Sequence, residues 1–173
     1  MAKNKLDMSK VVQRWNKAKN QLPKLLTNVS KNMFVDSWKR QGWDGEKWKE
    51  VQRRTPGTRA YKNATKSART RAILVQSGTL RRSIVINSQT FSRMTISTNV
   101  PYAEVHNEGF RGTISVRPSV RNGKKVRAYS YKANIPQRKF MGHGKEVEKA
   151  QRNIIGVALA NVFMPGKFKF KKA

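Results

Sequence analysis

The chain is 173 residues long, 37% hydrophobic, and carries 38 Lys and Arg against 9 Asp and Glu, a formal net charge of +29. Such a length suits one domain with a real but modest core, and such a charge asks for an acidic or polyanionic partner, because self-repulsion weakens an isolated compact state. The absence of cysteine excludes disulfide scaffolds, thiol catalysis and Cys-ligated metal sites.

The N-terminus is basic (Lys3, Lys5, Lys10), with no apolar segment of signal-peptide length behind it. No apolar run approaches the ~20 residues of a bilayer span. Use in the cytoplasm, or in a particle assembled there, is the expectation, with no membrane partner.

Residues 8–39 read as a helix. Val12, Trp15, Leu22, Leu25, Leu26, Val29 and Met33 recur at spacings of three, four and seven. Phe34 and Trp38 continue the stripe. Pro23 predicts a kink or a break near Leu22.

Residues 40–71 lack periodicity. Turn formers and tryptophans open the segment (Trp43-Asp44-Gly45-Glu46-Lys47-Trp48), and positions 51–71 hold seven Lys or Arg and no acid. This predicts a long basic loop, ordered at its start by Trp43 and Trp48 packing onto the sheet.

Strands follow. Ser83–Asn87 and Met94–Thr98 are β-branched runs around a turn, and Pro101 ends the second. Tyr102–Asn107 suits one helical turn before Gly109. Thr113–Arg117 and Lys125–Tyr131 flank Asn122-Gly123, a hairpin-turn pair. Residues 110–134 therefore predict a protruding hairpin arm with Tyr129 and Tyr131 on one face. Positions 111–139 hold nine Lys or Arg and no acid.

The clearest helix covers residues 145–163. Val147, Ala150, Ile154, Ile155, Ala158, Leu159 and Val162 form its stripe. Glu146 and Glu148 in its first turn suit the helix dipole. Pro165-Gly166 stops it, and a basic tail, 165–173, alternates lysine with phenylalanine.

These elements give an α+β chain, read as a single domain over 1–173: a small antiparallel sheet packed by a long N-terminal and a C-terminal helix, with a basic loop and a protruding hairpin. No catalytic constellation competes. His106 lies between Glu104 and Glu108, but a helical turn would splay the three apart, and no H-E-x-x-H or paired-carboxylate spacing exists. His106 is expected to pack or hydrogen-bond locally. Ser77 is no nucleophile elbow, because G-x-S-x-G is absent. It is expected to cap a short helix through Leu80. No cofactor or metal site is predicted, and no enzyme.

Four landmarks in order carry a resemblance. The first is Trp43-Asp44-Gly45-Glu46-Lys47-Trp48, with Val51 where relatives have leucine. The second is Leu74-Val75-Gln76-Ser77-Gly78-Thr79-Leu80-Arg81-Arg82-Ser83-Ile84. The third is Asn99-Val100-Pro101-Tyr102-Ala103-Glu104-Val105-His106-Asn107-Glu108-Gly109. The last is Ile135-Pro136-Gln137-Arg138-Lys139-Phe140-Met141-Gly142, with Lys139 in place of a usual proline. The order resembles the tail-completion and virion-morphogenesis proteins of tailed bacteriophages, the neck-protein superfamily. Residues 110–134 are longer than in many relatives.

The resemblance implies a non-enzymatic virion protein at the head–tail junction or the top of the tail. It implies rings coaxial with the portal, touching portal, adaptor and tail proteins of the same virion. Six copies would fit a tail-side ring and twelve a portal-side ring. It marks Trp43, Trp48, Gly78, Leu80, Pro101, Tyr102, His106, Gly109, Pro136 and Phe140 as structural positions. Candidate contacts to neighbouring subunits or DNA are Arg53, Arg54, Arg59, Arg69 and Arg71 in the loop, and Arg81 and Arg82 after the Ser-Gly turn. The arm adds Arg117, Arg121, Lys124, Lys125, Arg127, Tyr129 and Tyr131. Non-specific contact with packaged double-stranded DNA is a further expectation for the virion protein, and the rival reading is a host- or phage-encoded protein whose basic loops bind nucleic acid without sequence readout.

Overall fold

The computed structural model describes residues 7–121 and 123–166. The lysine–phenylalanine tail from residue 167 onward, Asn122 of the hairpin turn and the side chain of Arg121 lie outside the described residues.

Helix α1 spans Met8–Arg40. Asp7 caps its start by accepting from the Ser9 and Lys10 N–H groups, and Gln41 ends it in the left-handed region, at φ 50°. Of the kink or break expected near Leu22, the break does not occur, because one helix runs through Pro23. Proline removes one backbone donor, yet its ring is buried on the core face and the helix runs on.

That face carries Leu22, Leu26, Phe34 and Trp38. Between them sit three buried hydroxyls, which donate to carbonyls of their own helix: Thr27 to Pro23 and Ser30 to Leu26 at 2.8 Å each, Ser37 to Phe34 at 2.7 Å. Bonding back to the helix satisfies them at little cost. Thr27 and Ser30 also accept across the interior, from Gln89 at 2.7 Å and Gln151 at 2.9 Å.

Helix α6, Lys145–Phe163, runs back along α1. Arg40 meets Glu146 at one end, and Arg14 donates to the Val162 carbonyl at the other, at 3.2 Å. The contact is narrower than the apolar stripes suggest. Val11, Val147, Ala158 and Val162 are buried, while Val12 (52%), Trp15 (37%), Ile155 (38%) and Leu159 (39%) are exposed. Only one helix covers each of these faces, so residues at the stripe's margin stay wet.

The strands do not form a single sheet. They make four separate two-stranded antiparallel ladders. Strands β1 (Gly42–Trp43) and β2 (Glu46–Lys47) form a minimal hairpin. Strands β3 (Val85–Gln89) and β4 (Met94–Ser97) lie against α1, with a register shift between Ile86 and Ser88. The arm holds the other two ladders. Strands β5 (Phe110–Val116) and β8 (Tyr129–Ile135) pair over seven positions. Strands β6 (Ser119–Arg121) and β7 (Lys124–Val126) close its tip. The sequence run Lys125–Tyr131 is thus split, and Pro118 faces the gap on the other side, where it has no N–H to offer the ladder.

The 40–71 segment differs from a structureless loop. A 3-10 turn (Gln52–Arg54) leads to α2 (Arg59–Asn63) and α3 (Lys66–Thr70). Thr58 and Thr65 cap these helices, each hydroxyl accepting from the N–H three residues on, at 3.1 and 3.2 Å. One-turn helices are too short to show an apolar period, so only the caps betray them.

Trp43 and Trp48 pin this segment to α1, not to a sheet. Trp43 tilts against Phe34 at 5.7 Å. Trp48 meets Trp38 edge-on at 5.8 Å, and Phe140 lies 4.9 Å from Trp38 on another side. Around these rings gather Ile73, Leu80, Ile84, Ala103 and Val147, which completes the main core. Each large side chain so buried contributes roughly 1.5–3 kcal/mol.

Candidate assembly interface

The third and fourth landmarks meet at the edge of the main core, the hub of Trp38, Trp48 and Phe140. Helix α5, Ala103–Glu108, brings Asn107 over the chain before α6. The Asn107 side-chain oxygen accepts from the N–H groups of Phe140 (3.0 Å) and Met141 (3.1 Å). The Arg138 N–H donates to the His106 carbonyl at 2.8 Å. Phe140, fully buried, is thereby fixed beneath Trp38. Trp48 adds a bond from its indole N–H to the Lys139 carbonyl at 2.7 Å.

The first landmark positions α6. Both Asp44 carboxylate oxygens accept from the first N–H groups of that helix, Lys145 at 2.9 Å and Glu146 at 2.8 Å. These bonds hold the Asp44 carboxyl below its ordinary range, the Glu146 N–H contributing most. Trp43 packs on Gly144, where a Cβ would lie 3.1 Å from the indole. A cap supplied from a hundred residues away replaces the local one that Gly144 cannot offer.

The second landmark forms a turn into α4, Thr79–Arg82. Its N-cap is Gly78, not Ser77. Gly78 has φ 76°, a conformation that costs other residues more. Ser77 instead bonds the Thr79 hydroxyl at 2.7 Å, while its carbonyl accepts from Arg82 at 2.8 Å. Leu80 is buried beneath. Gly109, at φ 80°, sits so close to Gln137 that a Cβ would approach its N–H nitrogen to 2.9 Å. The base of the arm closes at this point.

Pro101 and Tyr102 are exposed and Pro136 is half-buried. His106 packs edge-on to Tyr102 at 5.9 Å. Its Nδ1 is buried without a hydrogen-bond partner among the described residues. Burial, then the Arg138 charge, holds its pKa below the usual histidine value.

The basic candidates divide into two groups. In the loop, several arginines build structure. Arg53 donates to the carbonyls of Ala68 (3.0 Å), Arg71 (3.1 Å) and Ala72 (2.9 Å). Arg69 donates to the Tyr61 carbonyl at 3.0 Å and lies 4.1 Å over the Tyr61 ring. Arg54 pairs with Glu50 at 3.6 Å, and Arg71 is half-buried. Arg59, Arg81 and Arg82 are exposed.

In the arm, Arg117, Lys124, Lys125 and Arg127 are exposed near the tip. Tyr129 and Tyr131 stack at 6.1 Å with 27° between rings, both about half exposed. Register puts Ile114 opposite Tyr131 and Val116 opposite Tyr129. Alternation then gives one face Ile114, Val116, Tyr129, Tyr131 and Ala133. The other carries Arg111, Thr113, Ser115, Ser130 and Lys132. The arm is an amphipathic ribbon, and β5 and β8 pack mainly on each other. A two-stranded ribbon is marginal in water by itself.

Three positions were not singled out from sequence: Asp44, Asn107 and Arg138. Each sits inside a quoted landmark, and its role is a long-range bond to backbone, which no local spacing reveals. An Asn beside the His-x-Glu-Gly turn and an Arg after Ile-Pro-Gln were the available signals.

Among the described residues, no helix is long and apolar enough to cross a membrane. No match was found among curated proteins or among solved structures. A family model, that of the phage virion morphogenesis family, matches residues 10–160 and so takes in every landmark and both long helices. The chain belongs to the phage virion morphogenesis family, and is at that level a structural protein of a phage virion.

Proposed function

We propose that the protein works at the head–tail junction or the top of the tail, as a ring of copies coaxial with the portal. The observation that carries this reading is the arm. Its apolar face is neutral and presents stacked tyrosines, and among the described residues β5 and β8 are each other's main contact. Tyrosine-rich apolar patches are favoured in protein interfaces. A heterologous contact, arm of one copy against the body of the next, closes into a ring.

The basic residues act next. Arg117, Lys124, Lys125 and Arg127 form a charged rim at the arm tip, and Arg59, Arg81 and Arg82 add exposed charge on the body of the chain. Acidic surfaces of portal, adaptor or tail proteins would be steered onto it, with faster docking at low salt. Duplex DNA in the channel is a further anion for the same rim, held without sequence readout.

Immunogold labelling of purified virions tests the location. Gold at the head–tail junction is the expected result. Virions without label, with the protein also missing from disrupted particles, would sink the reading and bring the free nucleic-acid-binding role forward.

A further inference from the structure

Beside the hub lies a cleft of about 570 Å3 whose lining holds Arg53, Arg71, Arg138 and His106, and no carboxylate. The rest of its wall mixes the aliphatic Val51, Leu74, Val75 and Leu80 with the polar Gln76, Ser77, Thr79 and Tyr102.

Arg138 is only 6% exposed. Its guanidinium donates to the Lys49 carbonyl at 3.1 Å and the Glu50 carbonyl at 3.5 Å. Arg53 is likewise held by carbonyls. Carbonyls orient a guanidinium but bring no net negative charge. Neither arginine forms an ion pair among the described residues. The Glu50 carboxylate turns away, to Arg54 and to the Val51 N–H. Burial first, then the neighbouring Arg53 charge, pushes the Arg138 pKa down. The cleft thus gathers one buried and two half-buried arginines that Glu50 offsets only in part and that form no ion pair among the described residues, an arrangement that an entering anion would favour.

We propose that this cleft receives an acidic segment of another virion protein: a carboxylate held by Arg53, Arg71 and Arg138, with an aliphatic neighbour against Val51, Leu74, Val75 and Leu80. Naming the partner as a virion protein rests on the assembly reading above; the demand for a carboxylate does not.

A second copy of this chain fits poorly. It has 9 acidic residues, and most are engaged at home: Asp7 and Asp44 as caps, Asp36, Glu50, Glu146 and Glu148 in ion pairs, Glu108 with Asn107. A duplex fits poorly too, since its backbone offers the aliphatic side chains Val51, Leu74, Val75 and Leu80 nothing and is too wide for a cleft of this size. Planar guanidiniums suit the two oxygens of a carboxylate.

The test is a nuclear magnetic resonance titration of the full chain, following the arginine side-chain N–H signals and His106. The probes are acetyl-Leu-Glu-Leu-amide, its Gln counterpart, inorganic phosphate and a short DNA duplex. The Glu peptide should shift Arg138 and Arg53 saturably and bind at least about tenfold tighter than the Gln peptide. It should also raise the His106 pKa, because a bound carboxylate offsets the Arg138 charge. Arg71→Gln, at a half-buried position, should weaken binding about tenfold with an unchanged melting temperature.

Equal binding of the Glu and Gln peptides, or no shift at Arg138 and His106, would overturn the proposal. So would tighter binding of phosphate or duplex at the same signals, which would make the cleft a phosphate site. Neck labelling without peptide binding sinks the cleft alone. Peptide binding without neck labelling sinks the location and leaves the cleft.

Discussion

The hub and the arm both stack aromatic rings, but they spend them differently. In the hub, Trp38 and Trp48 are 3% and 8% exposed, and Phe140 is fully buried. Ring meets ring at 4.9–5.8 Å, and the Trp48 N–H is bonded. In the arm, Tyr129 and Tyr131 stack at 6.1 Å, yet each keeps about half its surface in water. The hub satisfies itself. The arm offers what it cannot satisfy alone. Folding and assembly are therefore assigned to separate residues, and mutations should separate them.

The sharpest break is Phe140→Ala. It empties a fully buried site under Trp38 and should cost about 3–5 kcal/mol, read from denaturant unfolding of the purified chain. Assembly would be lost with the fold.

Asn107→Ala comes next. It removes the acceptor of two backbone N–H groups, Phe140 and Met141. A loss of about 1–3 kcal/mol is expected in the same assay. An unchanged midpoint would show that water replaces the side chain and that α5 does not pin the hub.

A pH effect sharpens the comparison further. The folded chain depresses the His106 pKa below its ordinary 6.5. The unfolded chain then binds more protons as pH falls below about 6.5, so stability should decline there and recover above it. His106→Phe should flatten that slope. A slope unchanged by the substitution would place the titration elsewhere.

The smallest effect on folding belongs to the arm. Tyr129→Ser with Tyr131→Ser should change stability by less than about 0.5 kcal/mol. The same pair should abolish incorporation into virions, scored by quantitative blotting of purified particles. Loss of fold alongside incorporation would erase the distinction between the two regions.

Much of the fold was legible in the sequence. Both long helices, the 83–98 hairpin and the tyrosine-bearing arm are periodic or β-branched over enough residues to declare themselves. What escaped was short or remote. The helices α2 and α3 last one turn each and carry no apolar period, so only Thr58 and Thr65 mark them. Pro23 does not split α1, although a proline inside a helix removes a backbone donor. The margin of the stripes was overread at Val12, Trp15, Ile155 and Leu159, because periodicity reports a face and not how wide a neighbour covers it. Asp44, Asn107 and Arg138 act on backbone many residues away, beyond any spacing argument. The arginines were read alike, although Arg53 and Arg69 fold the loop while the arm's cations stay in solvent.

The central claim is that the arm's apolar face is covered by a neighbouring subunit in the virion. The chain has no cysteine, so single reporters can be placed on either face: Tyr131→Cys on the apolar side, Lys132→Cys on the polar side. Maleimide labelling of each would be compared between the purified chain and intact virions. Tyr131→Cys should react in the free chain and be protected in virions, with Lys132→Cys protected far less. Equal reactivity of both positions in virions would contradict that claim.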